Sequence, residues 1–448
     1  MGDGKILYWI WLSEKCGAAS REFGRLVASH DDPFELYRMD EDEIEHLDGI
    51  GRSLKERLCD KSLETAYSIL KTCQKERADI ITYSDKRYPA RLRTIEDPPV
   101  LLYCLGRFPD FNTRLCIGMV GTRKMSEYGM QTSYSISYEL ASAGAVVVSG
   151  MALGIDSVCA CGALEAGGET VAVLGCGISV VYPKQHKKLM QIIAKRGAVV
   201  SEYPPSEIAH GYNFPKRNRI ISGLCQGTLI IECSVKSGAM ITASRAIDHG
   251  RELFALPGKV NESNSDGPNL LIRQGANVAL RSDDILDYYD FLYGDVINRK
   301  AHANSKKNSL VSERALQKYG VSWKKYGERY EGRSNETEEY ISYPAQTKNE
   351  KAEQKKDISQ NNTNTVPDTV KEQAVLSDTE ARKRKEIIAS LDRVSQKVYE
   401  YMPSDKSSVT ADVIAACGID VGDVITALTM LELAGLVSSL PGGAYVRN

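Results

Sequence analysis

The stretch Phe214-Pro215-Lys216-Arg217-Asn218-Arg219 places three cations and an aromatic ring within six residues, just ahead of apolar Ile220-Ile221. Cations at this density follow a phosphate backbone, and a ring beside them stacks on a base. Three glycine-bearing turns add to the pattern. Gly121-Thr122-Arg123 couples a residue that lets backbone approach a ligand to a guanidinium, whose planar fork of donors suits phosphate. Ser149-Gly150 runs into Met151-Ala152-Leu153-Gly154-Ile155-Asp156, and Ser237-Gly238 into Ala239-Met240-Ile241-Thr242. Both feed helix starts, where backbone amides and the positive end of the helix dipole attract an anion. One such turn is common. Three of them, with the basic-aromatic cluster, at successive strand ends predict a lengthened phosphate track, which fits a polyanion better than a mononucleotide.

Plainer roles compete for the same residues. Arg217 and Arg219 can be helix-start charges paired with Glu202 or Glu232, and Phe214 a core ring. Asp156 reads as a helix cap before it reads as catalytic, and Glu232, ending a strand, as a salt-bridge partner of the arginines before it reads as a general base. The six histidines, His30, His46, His186, His210, His249 and His302, lack metal-ligand spacing. No nucleophile elbow, Walker A motif or pair of catalytic carboxylates is present. The chain therefore reads as non-enzymatic and without a cofactor. The rival reading is a nucleotide-binding Rossmann-like enzyme or sensor acting on a nucleotide or nucleotide sugar.

The elements that must position these turns alternate between strand and helix. Leu115–Val120, Ala145–Ser149, Thr170–Leu174, Ala198–Ser201, Thr228–Glu232 and Leu253–Leu256 are short, continuous apolar runs. Between them lie helical patterns over Glu127–Ala143, from Asp156 to Gly167-Gly168, and over Gln185–Lys195, Arg217–Leu224 and Ala239–His249. Apolar strands separated by helices predict a parallel sheet covered on both faces and wound in right-handed crossovers. The fold class is thus α/β, a Rossmann-like doubly wound parallel sheet. Its ligands are expected beyond the carboxyl ends of the strands, where the unusual residues fall.

Composition divides the 448 residues into four segments: a helical domain over 1–78, the Rossmann-like domain over 79–290, a disordered linker over 291–385 and a winged helix over 386–448. The linker is rich in Lys, Glu, Asn, Gln, Ser and Thr, and buries too little apolar surface to offset the entropy of ordering. Lysine and arginine (57) nearly balance aspartate and glutamate (59), so nucleic-acid binding must come from a local patch. Eleven cysteines sit mostly in apolar stretches, without a C-x-x-C, and no run approaches the roughly 20 apolar residues of a membrane helix. These features predict a soluble cytoplasmic protein with no membrane contact.

The motifs also resemble a known family. Val120-Gly121-Thr122-Arg123, Ser149-Gly150-Met151-Ala152-Leu153-Gly154-Ile155-Asp156, Gly162-Ala163-Leu164, Tyr182-Pro183, Ser201-Glu202-Tyr203-Pro204, the Phe214–Ile221 run, Ser237-Gly238, Pro257-Gly258 and Gly275-Ala276 follow the order and spacing of the DNA-processing protein A (Smf) family over about 200 residues. The lead-in Tyr88-Pro89 and Asp97-Pro98-Pro99 matches too. The resemblance implies a protein that binds single-stranded DNA, forms a homodimer and helps load a RecA-type recombinase during natural transformation. It implies that Arg123, Phe214, Lys216, Arg217 and Arg219 line the DNA pocket. The chain departs from the family pattern at Cys159-Ala160, where Ala-His is usual, and at His186, where asparagine is usual.

Leu47-Asp48-Gly49-Ile50-Gly51 between two helical patterns looks like a helix-hairpin-helix, with Arg52, Lys55 and Arg57 following; a tight turn in a SAM-like helical bundle is the plainer reading. In the C-terminal segment, Val394, Val398 and Met402 mark a first helix, Thr410 caps a second, and Val424, Ala427, Leu428 and Leu431 mark a third. Leu436–Leu440 and Ala444–Arg447 flank a Pro441-Gly442-Gly443 wing turn. The third helix, from Asp420 to Ala434, holds no lysine or arginine but does hold Asp420, Asp423 and Glu432. A groove-reading helix needs cations, so this module is expected to serve protein contacts instead of duplex DNA.

Overall fold

The computed structural model describes residues 3–322 and, in the C-terminal segment, residues 388, 393–402, 408–409, 424, 427–428, 431, 436–440 and 444–447. Six helices come first: α1 (Asp3–Cys16), α2 (Arg21–Ser29), α3 (Pro33–Arg38), α4 (Glu41–Glu45), α5 (Arg52–Cys59) and α6 (Glu64–Glu76). Side-chain caps start three of them: Ser20 accepts from Phe23 N, Asp32 from Phe34 N, and Asp40 forms a capping box with Glu43. Trp11, Phe23, Leu26, Leu54 and Leu58 make the core of this bundle, and Leu101 and Tyr103 of the adjoining sheet enter the same core. The bundle therefore has no apolar interior separate from the domain that follows.

The sheet contains β1 (Asp79–Thr82), β2 (Leu101–Gly106), β3 (Cys116–Val120), β4 (Val146–Ser149), β5 (Thr170–Val173), β6 (Ala198–Ser201), β7 (Gly227–Ile230), β8 (Glu252–Ala255) and β9 (Asn277–Val278), in the order β1-β2-β6-β5-β4-β3-β7-β8-β9. From β6 to β9 every pairing is parallel, as the continuous apolar runs predict. The strands β1 and β2 extend one edge in antiparallel fashion. Alternate side chains divide between the faces: Cys116 and Val120 of β3 enter one core, Ile117 and Met119 the other.

Eleven helices accompany the sheet: α7 (Ala90–Arg93), α8 (Glu127–Ser142), α9 (Ile155–Glu165), α10 (Lys187–Arg196), α11 (Asn213–Leu224), α12 (Gly238–Asp248), α13 (Asp266–Arg273), α14 (Ser282–Tyr288), α15 (Asp290–Tyr293), α16 (Arg299–Ser305) and α17 (Glu313–Lys318). Successive strands step outward from β3 to β6, and then the chain returns to place β7 on the other side of β3. The winding reverses between β3 and β7, so their carboxyl ends flank the switch-point crevice of a doubly wound sheet.

The expected linker over 291–385 needs correction at its start. His302 of α16 is buried against Ser282, and Leu316, Tyr319 and Val321 fill the core beside α9, with Tyr319 and Lys318 both bonded to Glu165. Apolar Leu316, Tyr319 and Val321, spread among polar residues, are enough to anchor the chain through residue 321. Residues 323–387 lie outside the described residues.

In the C-terminal segment α18 (Arg393–Tyr401) is followed by a sheet of β10 (Ser408–Val409), β11 (Val437–Leu440) and β12 (Ala444–Arg447) in the order β10-β12-β11. Val398, Tyr399 and Met402 pack with Val424, Ala427, Leu428 and Leu431, and β11 pairs with β12 as the wing. This is a winged helix. The charges expected to matter on its third helix, Asp420, Asp423 and Glu432, lie outside the described residues.

Candidate nucleic-acid interface

The basic-aromatic cluster occupies the first two turns of α11, not the loop before it. Helix α11 starts at Asn213, earlier than the Arg217 start expected from the sequence. Pro215 does not prevent this, because a proline in the first helical turn lacks only an amide that has no intrahelical acceptor. Winding the cluster into a helix sends its charges to different faces. Lys216 is exposed and Asn218 half-buried, whereas Arg217 is 5% exposed and Arg219 0%.

Arg219 is withdrawn from any ligand. Its Nη2 lies 2.5 Å from Glu202 Oε2 and its Nε 3.3 Å from Asp97 Oδ2, all three side chains being enclosed. Glu202 Oε2 also accepts from Ala19 N at 3.3 Å, so one carboxylate ties α11 to the N-terminal bundle. Burial pushes the Glu202 carboxyl upward, against the opposing pull of Arg219. The plainer reading of Arg219, pairing with Glu202, is the one the geometry supports.

Arg217 turns inward at the sheet's end. It donates to Gly150 O at 2.9 Å and to Val173 O, and it faces Asp156. Asp156 in turn accepts from Gly150 N at 2.9 Å and draws on the amides of Ala152 and Gly121. Desolvation raises the Asp156 carboxyl above its usual range, while Arg217 and these amides oppose the rise. Asp156 is not the helix cap expected of it, since Gly154 holds that position with φ 79°. A Cβ at Gly150 would strike both the Arg217 guanidinium and the Asp156 carboxylate, which explains the glycine. The loop's anion site is therefore filled by the chain's own carboxylate.

Four further expectations change. Ser149 is buried and donates from Oγ to Asp156 O, and Thr242 is buried within α12, its Oγ1 donating to Gly238 O. Gly150 is also buried, so none of the three reaches a surface. Glu232 does not pair with the arginines: its carboxylate accepts from Ser126 N at 2.9 Å and from Ser126 Oγ, and its carbonyl accepts from Thr122 N at 2.6 Å. It holds the Gly121–Arg123 turn and the start of α8 together.

What remains open at the strand ends is smaller and more exposed. Arg123 is exposed, with no hydrogen-bonded or ion-paired carboxylate among the described residues, and its charge lowers the pKa of buried Arg217 as a subsidiary influence behind desolvation. Lys216 is exposed beside Tyr212, while Phe214 is half-buried with its centroid 5.1 Å from that of exposed Tyr182. Ser237 caps α12 through Ala239 N, next to exposed Gly238, whose carbonyl accepts from Asn218 Nδ2 at 3.3 Å. Gly121 and Thr122 are half-buried beside Arg123.

Sequence reasoning missed Tyr182, His210 and Tyr212. An exposed tyrosine directly before a basic cluster is the signal that could have found Tyr212. His186, a departure from the family pattern, is buried, with Nδ1 2.9 Å from Met151 O; Met151 is a non-glycine residue at φ 54° in the β4–α9 loop. Among the described residues no His, Cys, Asp or Glu cluster could hold a metal, and no helix is long and apolar enough to cross a membrane.

The family description "DNA recombination-mediator protein A" matches residues 79–290, and "DprA winged helix domain" matches 383–443. The DNA processing protein DprA of Bacillus subtilis is 36% identical over 219 residues, 49% of this chain and 74% of that protein. The DNA processing protein DprA of Streptococcus pneumoniae is 39% identical over 212 residues, 46% of this chain and 73% of that protein. An X-ray structure of DNA processing protein A from Streptococcus pneumoniae superposes with a TM-score of 0.56 at 32% identity, covering 63% of this chain and 97% of that one. The strand-end turns, the doubly wound sheet and the winged helix thus agree with these matches, and the chain belongs to the DNA processing protein A (Smf) family.

Proposed function

We propose that the central domain holds single-stranded DNA along the carboxyl ends of its strands. On this reading the protein is a cytoplasmic, non-enzymatic mediator that protects incoming strands in natural transformation and passes them to a RecA-type recombinase. The observation that carries the binding reading lies at the start of α11 and the β3 turn: Arg123 and Lys216 are exposed, and the Phe214 ring packs beside exposed Tyr182. Cations track a backbone and rings accept unpaired bases. A mononucleotide enzyme or sensor would anchor its phosphate on the β4–α9 loop amides, and Asp156 already occupies them.

The recombinase step rests on the family description, and the homodimer has physical support of its own. Val278 of the edge strand β9, the following Leu280, and Tyr288, Phe291 and Leu292 of α14 and α15 are exposed, Phe291 at 97%. Exposed apolar side chains of this kind suit a second copy of the chain.

Binding of single-stranded and duplex oligonucleotides by the full chain, titrated with salt, tests the reading. The single strand is expected to bind more tightly. Arg123→Ala and Lys216→Ala should each weaken binding and lower the salt slope by roughly 0.7. Variants that match wild type overturn the site.

A further inference from the structure

Resting on the single-strand reading, we infer that the start of α11 carries two base-stacking platforms: Tyr212 backed by His210 is the second, and it receives an unpaired base next to the one at Tyr182 and Phe214. Helix geometry separates the two. Residues three or four apart share a helix face, and residues two apart do not. Tyr212 already has helical dihedrals (φ −71°, ψ −13°), so it and Phe214 point in different directions. Each ring keeps its own cation at the face-sharing interval. Lys216 Nζ lies 5.7 Å from the Tyr212 centroid, and the Arg217 guanidinium 5.9 Å from that of Phe214.

The two pairs differ in access. Arg217 is locked to backbone carbonyls, so the Phe214 platform is fixed from below, with its ring beside exposed Tyr182. Tyr212 is 52% exposed and Lys216 is exposed. Behind Tyr212 the His210 imidazole lies parallel, with centroids 5.2 Å apart and planes at 10°, and Glu207 Oε1 stands 3.6 Å from His210 Nε2. The outer ring is thus already oriented, which reduces the ordering cost of stacking a base on it.

Between the platforms lies a helix start suited to phosphate. No side chain caps α11, and its first turn holds no acidic residue. A strand turning around this end would set its phosphate at Lys216, since the Asn213 amide already donates to His210 O and Pro215 has none. The ammonium then trades its ring contact for the phosphate and bares the Tyr212 face to the next base. Adjacent bases directed to different helix faces must be unstacked from each other. Paired bases of a duplex cannot do this without melting, so the second platform selects for single strands.

The test is Tyr212→Ala in the full chain, read by fluorescence anisotropy on an oligothymidylate and on an abasic oligonucleotide of equal length. The substitution touches an exposed ring with no capping bond, so the fold has little to lose. Binding of the oligothymidylate should weaken about tenfold, within the range for one stacked base. Binding of the abasic strand should change less than twofold, the salt slope should stay at its wild-type value, and Tyr212→Phe should restore affinity. No loss, an equal loss on both strands, or a lowered salt slope overturns the second platform and leaves the Arg123 and Lys216 site standing. Failure of the wild-type chain to bind the oligothymidylate at all overturns the parent reading instead.

Discussion

The β4–α9 loop and the start of α11 meet at one end of the sheet, joined by Arg217, and they treat charge in opposite ways. In the loop, the strong donors bond internally: the Gly150 amide bonds to Asp156, and Arg217 bonds to the carbonyls of Gly150 and Val173. One residue before Arg217, Lys216 is exposed, and Arg123 of the β3 turn is exposed with no hydrogen-bonded or ion-paired carboxylate among the described residues. Buried charges need partners, because their desolvation is repaid only by close and well-satisfied contacts. Exposed cations need none, and their unspent interactions are what a polyanion can use. Arginine therefore has two occupations in this domain, and residue type alone does not separate them.

The sharpest way to break this comparison is Arg219→Ala. It would leave Asp97 and Glu202 facing each other in a closed site and remove the link from α11 through Glu202 to Ala19. A loss of about 3–5 kcal/mol is expected in denaturant unfolding. Arg123→Ala should stay within about 0.5 kcal/mol of wild type in the same measurement, although it impairs DNA binding. If Arg219→Ala folds with wild-type stability and loses only DNA affinity, the division between structural and ligand-facing arginines is wrong.

Next in size is Asp156→Ala, which removes the carboxylate that fills the loop's anion site. About 2–3 kcal/mol should be lost, since Arg217 and the Gly150 amide lose their charged partner. The vacated amides then recreate the site that the glycine pattern advertises. Added sulfate should stabilise this variant well beyond its effect on wild type, measured by thermal unfolding against a chloride control of equal ionic strength. Equal responses from both chains would show that Asp156 does not stand in for an anion.

Much of the architecture was legible because the parallel strands are continuous apolar runs bounded by glycine and helix starts. β3 through β8 follow directly from that pattern. The antiparallel pair β1 and β2 was harder to read, since Asp79–Thr82 and Leu101–Gly106 flank a turn-rich stretch with only the short helix α7. The packed α16 and α17 were hidden in a polar composition, because three well-placed side chains, Leu316, Tyr319 and Val321, hardly alter an average over the segment. At the site, the sequence located the correct cluster but could not assign faces. That required knowing that α11 begins at Asn213, so that adjacent Lys216 and Arg217 diverge between solvent and the carbonyls of Gly150 and Val173. The cap expected at Asp156 fails because no neighbouring residue type signals that its carboxylate folds back onto Gly150 rather than capping α9.

The hairpin of the N-terminal bundle repeats the comparison on a smaller scale and yields the smallest expected effect. Gly49, at φ 78°, and Gly51 have the residue types of a duplex-phosphate hairpin, yet the Gly51 amide donates to Glu22 Oε1 at 2.6 Å and Arg25 Nη1 donates to Gly49 O at 3.3 Å. The cations that follow are also engaged: Arg52 with Glu56, Lys55 with the Glu45 carbonyl, and Arg57 with the Ser53 carbonyl. By the logic of the β4–α9 loop this is a closed turn that holds α2 against α5. Glu22→Ala should then cost only about 0.5–1.5 kcal/mol, since the bond is exposed and water can replace it. Because the change frees an amide and removes a negative charge beside Arg25, duplex affinity should rise from a weak starting value and fall again with added salt. Tight duplex binding by the wild-type chain that Glu22→Ala leaves unchanged, but that Arg52→Ala with Lys55→Ala abolishes, would place an open phosphate site in the bundle and undo the contrast between closed turns and the open start of α11.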